Sequence, residues 1–317
     1  MPLEAPLHYA SAKHLAALIS AREVTSVELT DLMLSRIEQV NGALNAVVAL
    51  AAESARERAL TADAALEKGE HWGPLHGVPM TIKDSIDTAG IVTTGGTVGR
   101  RDFVPDTDAT VVARLKNAGA IILGKTNTPE LTLSFETEND VYGVTRNPYD
   151  PMRSPGGSSG GAAAILATGG SALEVGSDYG GSIRVPSAFC GTAGIKPTMG
   201  RVPRTGHIYP FGGVNDSFQQ LGPMARWVED LVLMLPLLAG PDGVDPAVVP
   251  MPLGDPGAID VADLRVAFYT SADTAPASDA VQQTVRDAAA ALAERGAAVT
   301  EVEPIGFGEA FAVGQGM

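Results

Sequence analysis

The sequence predicts an α/β fold in which a sheet is covered by helices on both faces, and three observations carry that prediction. Short apolar runs alternate with helical patterns along most of the 317 residues, the ordering expected of such a sheet. Hydrophobic residues make up 45% of the chain, an ordinary value for a water-soluble globular protein. Glycine and proline are plentiful, at 36 and 22, so many turns are specified. A chain of this length suits one large domain or two small ones, and no linker is long enough to demand a second. We therefore expect a single domain over 1–317, with a helical segment over 1–70 and the core over 71–317.

The elements follow in order. Residues 1–70 read as helices. Thr25-Ser26-Val27-Glu28 is a capping-box pattern, ahead of Leu29, Leu32, Met33, Ile37 and Val40 at helical spacing. A further helix over 51–68 is rich in Ala, Glu and Arg and stops at Gly69. A strand is expected over 78–82, then a helix over 107–118 opened by Asp106 to Asp108, then a buried-type strand over 120–123. A small-residue helix over 160–168 and a short strand over 172–175 come next. The remainder reads as helix 227–238, strand 264–269, helix 280–295 and strand 298–302. Residues 241–257, rich in Pro, Asp and Gly, are the best loop candidate.

Charge and composition exclude several classes. A net charge of −15 argues against nucleic acid and anionic membrane as partners. The N-terminal residues lack a basic start followed by an apolar run. The most apolar window, 231–239, is interrupted by Pro236 and too short to span a bilayer. A cytoplasmic protein is the expectation. One cysteine, Cys190, leaves no internal disulfide framework. The five histidines (His8, His14, His71, His76 and His207) show no ligand-like spacing, so no metal site is expected.

Two familiar motifs occur in the wrong context. "GAIILGKT" (119–126) matches the phosphate-binding loop letter for letter. Such a loop must follow a strand and open a helix. Here the loop positions are the β-formers Ile121, Ile122 and Leu123, and Thr128-Pro129 follows where the helix should run. Lys125 then reads as structural or as a solvated strand-end lysine. "GGSSG" (156–160) matches the nucleophile elbow, yet a turn-like segment precedes it and only His207 lies downstream. Cys190, in an apolar setting, reads as a packed small side chain.

What remains is serine without histidine. "SPGGSSGG" (154–161) and "GSDYGGS" (176–182) each bring a serine to a glycine-lined turn, with 24 residues between Ser158 and Ser182. The first runs straight into Ala162-Ala163-Ala164-Ile165-Leu166, which reads as the start of a buried helix rather than as a flexible linker. The second offers several backbone N–H groups near one point, as a developing oxyanion requires. A serine of this kind needs another base, and lysine serves where burial lowers its pKa. Lys83, ending the apolar strand of "GVPMTIKD", is the candidate.

These segments carry a resemblance. "GVPMTIKD" (77–84), "GKTNTPEL" (124–131), "TRNPYDPMRSPGGSSGG" (145–161), "GSDYGGSIRVPSAFCG" (176–191) and "IKPTMGRVPR" (195–204) are similar, in order and spacing, to the amidase signature family, and the opening helices resemble that family's as well. The resemblance spans roughly the whole chain. It implies a central mixed β-sheet flanked by helices on both faces and a Ser–cis-Ser–Lys triad. In that triad Ser182 is the nucleophile, Ser158 the bridging serine after a cis peptide bond, and Lys83 the base. It further implies an oxyanion hole from the backbone N–H groups of Tyr179, Gly180, Gly181 and Ser182, and the Thr132 carbonyl as a substrate-side acceptor. Ser159, Asp178 and Arg184 are expected to hold the loops rather than to touch substrate.

The activity implied is hydrolysis of an amide through a serine acyl-enzyme, with esters, anilides or carbamates as related substrates and no cofactor. The alternatives are the glutamine-hydrolysing subunit of a tRNA-dependent amidotransferase and a non-catalytic member of the family. A small acyl substrate is the expected partner, and a homodimer is compatible with the sequence. Tyr179 stands where many relatives carry a small residue. Relatives also continue past "FGEAFAVGQGM", so the family domain is expected to be incomplete at the C-terminus.

Overall fold

Continuous apolar strands set the centre of the molecule. In the computed structural model, which describes residues 6–209, 211–212, 218–272, 276–303 and 306–315, β1 (Val47–Leu50), β2 (Pro79–Lys83) and β3 (Ile121–Thr126) form one sheet in the order β1-β3-β2. β2 and β3 are parallel, with Pro79 opposite Ile121 and Lys83 opposite Thr126. β1 joins β3 antiparallel. Every residue of β2 and β3 is buried, as parallel strands covered on both faces require. A second sheet, order β4-β6-β5, is antiparallel and comprises β4 (Leu173–Asp178), β5 (Ala193–Gly194) and β6 (Gln220–Ala225).

The central sheet therefore consists of two three-stranded pieces, whose β2 and β4 strands are tied by side chains. The Thr81 amide donates to Ser171 Oγ at 3.0 Å, Thr81 Oγ1 donates to Glu174 at 2.6 Å, and Lys83 Nζ donates to Ser177 Oγ at 2.9 Å. These bonds align the end of β2 with the end of β4.

Helices cover the sheets. α1 (Ala12–Ser20) is capped by Ser11, and its first amides donate to the Asp230 carboxylate at 3.0 Å. α2 (Ser26–Leu44) opens on the expected capping box of Thr25 and Glu28 and closes on Asn45 in the left-handed region. α3 (Ala52–Glu67) buries Ala55, Ala59, Ala62 and Ala65, one side of the helix. α4 (Thr110–Asn117) makes the crossover from β2 to β3. α5 (Gly160–Ala167) buries its first seven residues, α6 (Arg184–Cys190) follows β4, and α7 (Val228–Leu238) follows β6.

The expected elements differ from these at several points, β1, α4, α6, β5 and β6 among them. Residues 1–70 are not helical throughout, because Val47 to Leu50 pair with β3. α4 begins at Thr110 rather than at 107, because Asp108 is used elsewhere. Its carboxylate accepts from the Ala89 amide at 2.8 Å and from Lys116 Nζ at 2.8 Å.

The chain divides into two compact units, Met1–Pro252 and Leu253–Met317. The second unit contains the parallel pair β7 (Arg265–Phe268) and β8 (Ala298–Glu301), with α8 (Asp279–Glu294) between them in sequence, and α9 (Phe307–Gln315) after them. Among the described residues, no helix is long and apolar enough to cross a membrane.

Candidate active site

Lys83 closes β2 inside the protein with no exposed surface. Its Nζ donates to Ser158 Oγ at 2.7 Å, to Ser159 Oγ at 2.9 Å and to Ser177 Oγ at 2.9 Å. Burial pulls its pKa down to about 7, against the opposing pull of Asp178 and Glu174. An ammonium can donate to all three hydroxyls, whereas a neutral amine donates to two and accepts from the third. Ser159 Oγ sends its own proton to the Ser177 carbonyl at 3.4 Å, so it accepts from lysine in either state. Ser158 Oγ makes no other hydrogen bond among the described residues. When Lys83 is neutral, its lone pair can take the proton of Ser158 or of Ser177, whose hydroxyl likewise makes no other hydrogen bond among the described residues.

Backbone packing fixes Ser158. The Gly157–Ser158 peptide bond is cis. A Cβ on Gly157 would lie 2.7 Å from Ser134 O, and one on Gly161 only 2.4 Å from Asn127 N, so only glycine fits at either position. The "GGSSGG" run is thus wedged between neighbouring backbones, and α5 starts within it.

Ser182, 8% exposed, sits on the turn between β4 and α6. The Ser159 amide donates to Ser182 O at 3.0 Å, joining the two serine loops. The turn is organised around Asp178, whose side chain has no exposed surface. This carboxylate accepts from the amides of Gly181 (2.8 Å), Ile183 (3.1 Å) and Arg184 (3.3 Å), and from Arg184 Nε and Nη2, both at 2.9 Å. Burial alone would raise the carboxyl pKa, but the Arg184 and backbone hydrogen bonds outweigh it and hold Asp178 below its ordinary value.

This geometry amends the expected oxyanion set. The Gly181 amide is committed to Asp178, while the amides of Gly180 and Ser182 have no acceptor among the described residues. Tyr179 is 42% exposed, and its ring meets Phe218 edge-on at 5.8 Å. Asp178 and Arg184 are buttresses of the turn, and Ser159 touches Lys83 directly. Thr132 is half-buried and follows Leu131, both with left-handed backbone (φ 58° and 49°). It makes no hydrogen bond to either serine among the described residues. The Leu131 carbonyl beside it accepts from the Tyr209 hydroxyl.

Three features went unread in the sequence. Ser177 is the third hydroxyl on Lys83. Its signal was its place in "GSDYGGS", two residues from Val175 on the alternating strand. Glu174, fully buried, has its pKa raised by burial to about 7, opposed chiefly by the hydrogen bond from Thr81. Phe135 lies against the glycine turn, a contact with no local signature. Elsewhere, Lys125 is buried and structural, donating to the Ile86 carbonyl and to Thr88 Oγ1. His207 is kept neutral by burial and by Lys83 and Arg204. Burial pushes the Cys190 thiol up to about 12, as befits a packed side chain.

Such an assembly of lysine, three serines and a glycine turn can be compared with known proteins. The profile of the Amidase family matches residues 28–313. The chain belongs to the amidase family. It is 42% identical over 298 residues to the A subunit of the glutamyl-tRNA(Gln) amidotransferase of Moorella thermoacetica, covering 93% of this chain and 60% of that protein. To the corresponding protein of a Roseiflexus species it is 42% identical over 283 residues, covering 88% and 57%. Among solved structures, the native peptide amidase of Stenotrophomonas maltophilia superposes with a TM-score of 0.86 at 33% identity, covering 96% of this chain and 64% of the other. The 6-aminohexanoate cyclic dimer hydrolase does so with a TM-score of 0.83 at 31% identity, covering 94% and 62%. The chain thus spans roughly 60% of the length of these curated relatives.

Proposed function

We propose that the chain hydrolyses amide C–N bonds by acyl transfer through Ser182, with Ser158 as proton relay and Lys83 as base. The observation that carries this reading is the fully buried Lys83 amine 2.7 Å from Ser158 Oγ. Neutral Lys83 takes the Ser158 proton as Ser158 takes that of Ser182. Ser182 Oγ then bonds to the substrate carbonyl carbon, and the carbonyl π electrons move to oxygen. The Gly180 and Ser182 amides face the resulting oxyanion, each such donor being worth about 3 kcal/mol. The proton returns from Lys83 through Ser158 to the amide nitrogen, the C–N bond breaks, and the amine leaves. Water, deprotonated along the same relay, attacks the acyl ester and frees Ser182.

Ammonia or amine release from simple amides tests this. Ser182→Ala and Lys83→Met are expected to lower kcat by roughly 10⁴-fold. Activity retained in both would overturn the proposal, as would a wild-type chain inert to every amide and to hydroxylamine trapping of an acyl-enzyme.

A second reading is favoured by the 42% identity to the amidotransferase proteins. In it the acyl donor is glutamine, and the ammonia passes to a partner chain. Glutamine as the preferred substrate, with copurifying partner chains, would select this reading over a free-standing amidase.

A further inference from the structure

We infer that the acyl side of this site takes a flat aromatic or other bulky apolar group in preference to a small one. The inference rests on the acyl-transfer reading, which places the substrate carbonyl between Ser182 and the Gly180 and Ser182 amides. The group on that carbonyl must then lie across the outer surface of the Tyr179-to-Ser182 turn.

That surface is aromatic. Phe135 Cζ stands 3.9 Å from where a Cβ on Gly180 would be, and Cε1 stands 3.4 Å from the corresponding point on Gly181. The same segment seats its backbone against Gly157, so the ring is anchored to both serine loops. Even so, Phe135 is 57% exposed, and Leu133 beside it is 76% exposed. On the other side Tyr179 presents its ring edge-on to Phe218, itself 47% exposed. Rings arranged this way offer faces and edges to a further ring.

Arg184 gives Nε and Nη2 to Asp178 at 2.9 Å, which ties it to the turn. Lys83 and Asp178 are buried and partnered. Apolar burial against the rings is the recognition this surface offers.

Boronic acids, which form a tetrahedral adduct on an activated serine, test this without knowledge of the natural substrate. The intact chain would be treated with a fluorophosphonate in the presence of phenylboronic or methylboronic acid, and the rate of Ser182 modification followed by mass. Phenylboronic acid is expected to protect at a concentration roughly tenfold lower than methylboronic acid. Phe135→Ala should erase most of that difference, with Phe135→Leu retaining part of it and melting like the wild type. Equal potency of the two acids on a Ser182 that is labelled overturns the inference and leaves the acyl-transfer reading standing. No labelling of Ser182 overturns both.

Discussion

At the scale of single residues, the chemistry turns on the protonation of Lys83. Its working form is the neutral amine, and burial places its pKa near 7. Reaction at Ser182 is therefore expected to be full above that pH and to fall away as pH drops through it, with a rate-versus-pH profile as the check. Asp178 and Glu174 both favour the charged lysine. Glu174→Gln keeps an acceptor for Thr81 but removes a negative charge, so it should move this acidic limb to lower pH. An unchanged limb would show that Glu174 is already neutral when Lys83 titrates. Asp178→Asn is expected to loosen the turn and to cost on the order of 2 kcal/mol in stability, read by chemical denaturation.

Lys83, Ser158 and Ser182 were legible in the sequence because each ends or occupies a distinctive glycine- or strand-bounded motif. The commitment of the Gly181 amide to Asp178 was not legible. Four consecutive N–H groups look equivalent in a sequence, and only the direction of the carboxylate separates them.

At the scale of elements, legibility followed burial and punctuation. β2 and β3 were readable as apolar runs, and α2 by its capping box. β6 was missed because Gly222 and Pro223 read as breakers, although Pro223 lies in register with Val175. β1 was missed because four residues between alanine-rich helices carry little periodicity. The docking of α5 depends on a position too crowded for any side chain. Gly161→Ala would bring its Cβ 2.4 Å from Asn127 N and 2.7 Å from Ala46 O. We expect it to destabilise the protein by about 2 kcal/mol or more, seen as a lower Tm, since backbone atoms cannot step aside as a flexible side chain would.

At the scale of the molecule, the boundary between the two compact units, Pro252/Leu253, falls within the Pro-, Asp- and Gly-rich 241–257 segment. Every candidate catalytic residue lies in the first unit. Cys190 offers a native reporter for that unit, because it is fully buried with its thiol pushed up to about 12. An aromatic disulfide reagent should leave it unmodified under native conditions and react promptly in denaturant. Prompt reaction in the native state would mean that α6 opens readily and that the Ser182 turn is not held as described.

The central claim is that a buried lysine activates Ser182 through Ser158, and mapping of a fluorophosphonate adduct tests it most directly. Intact mass followed by peptide mapping should find one adduct, on Ser182, that is absent from Ser182→Ala and reduced to background in Lys83→Met. An adduct on Ser158 or Cys190, or labelling of Ser182 that survives loss of Lys83, would contradict the account.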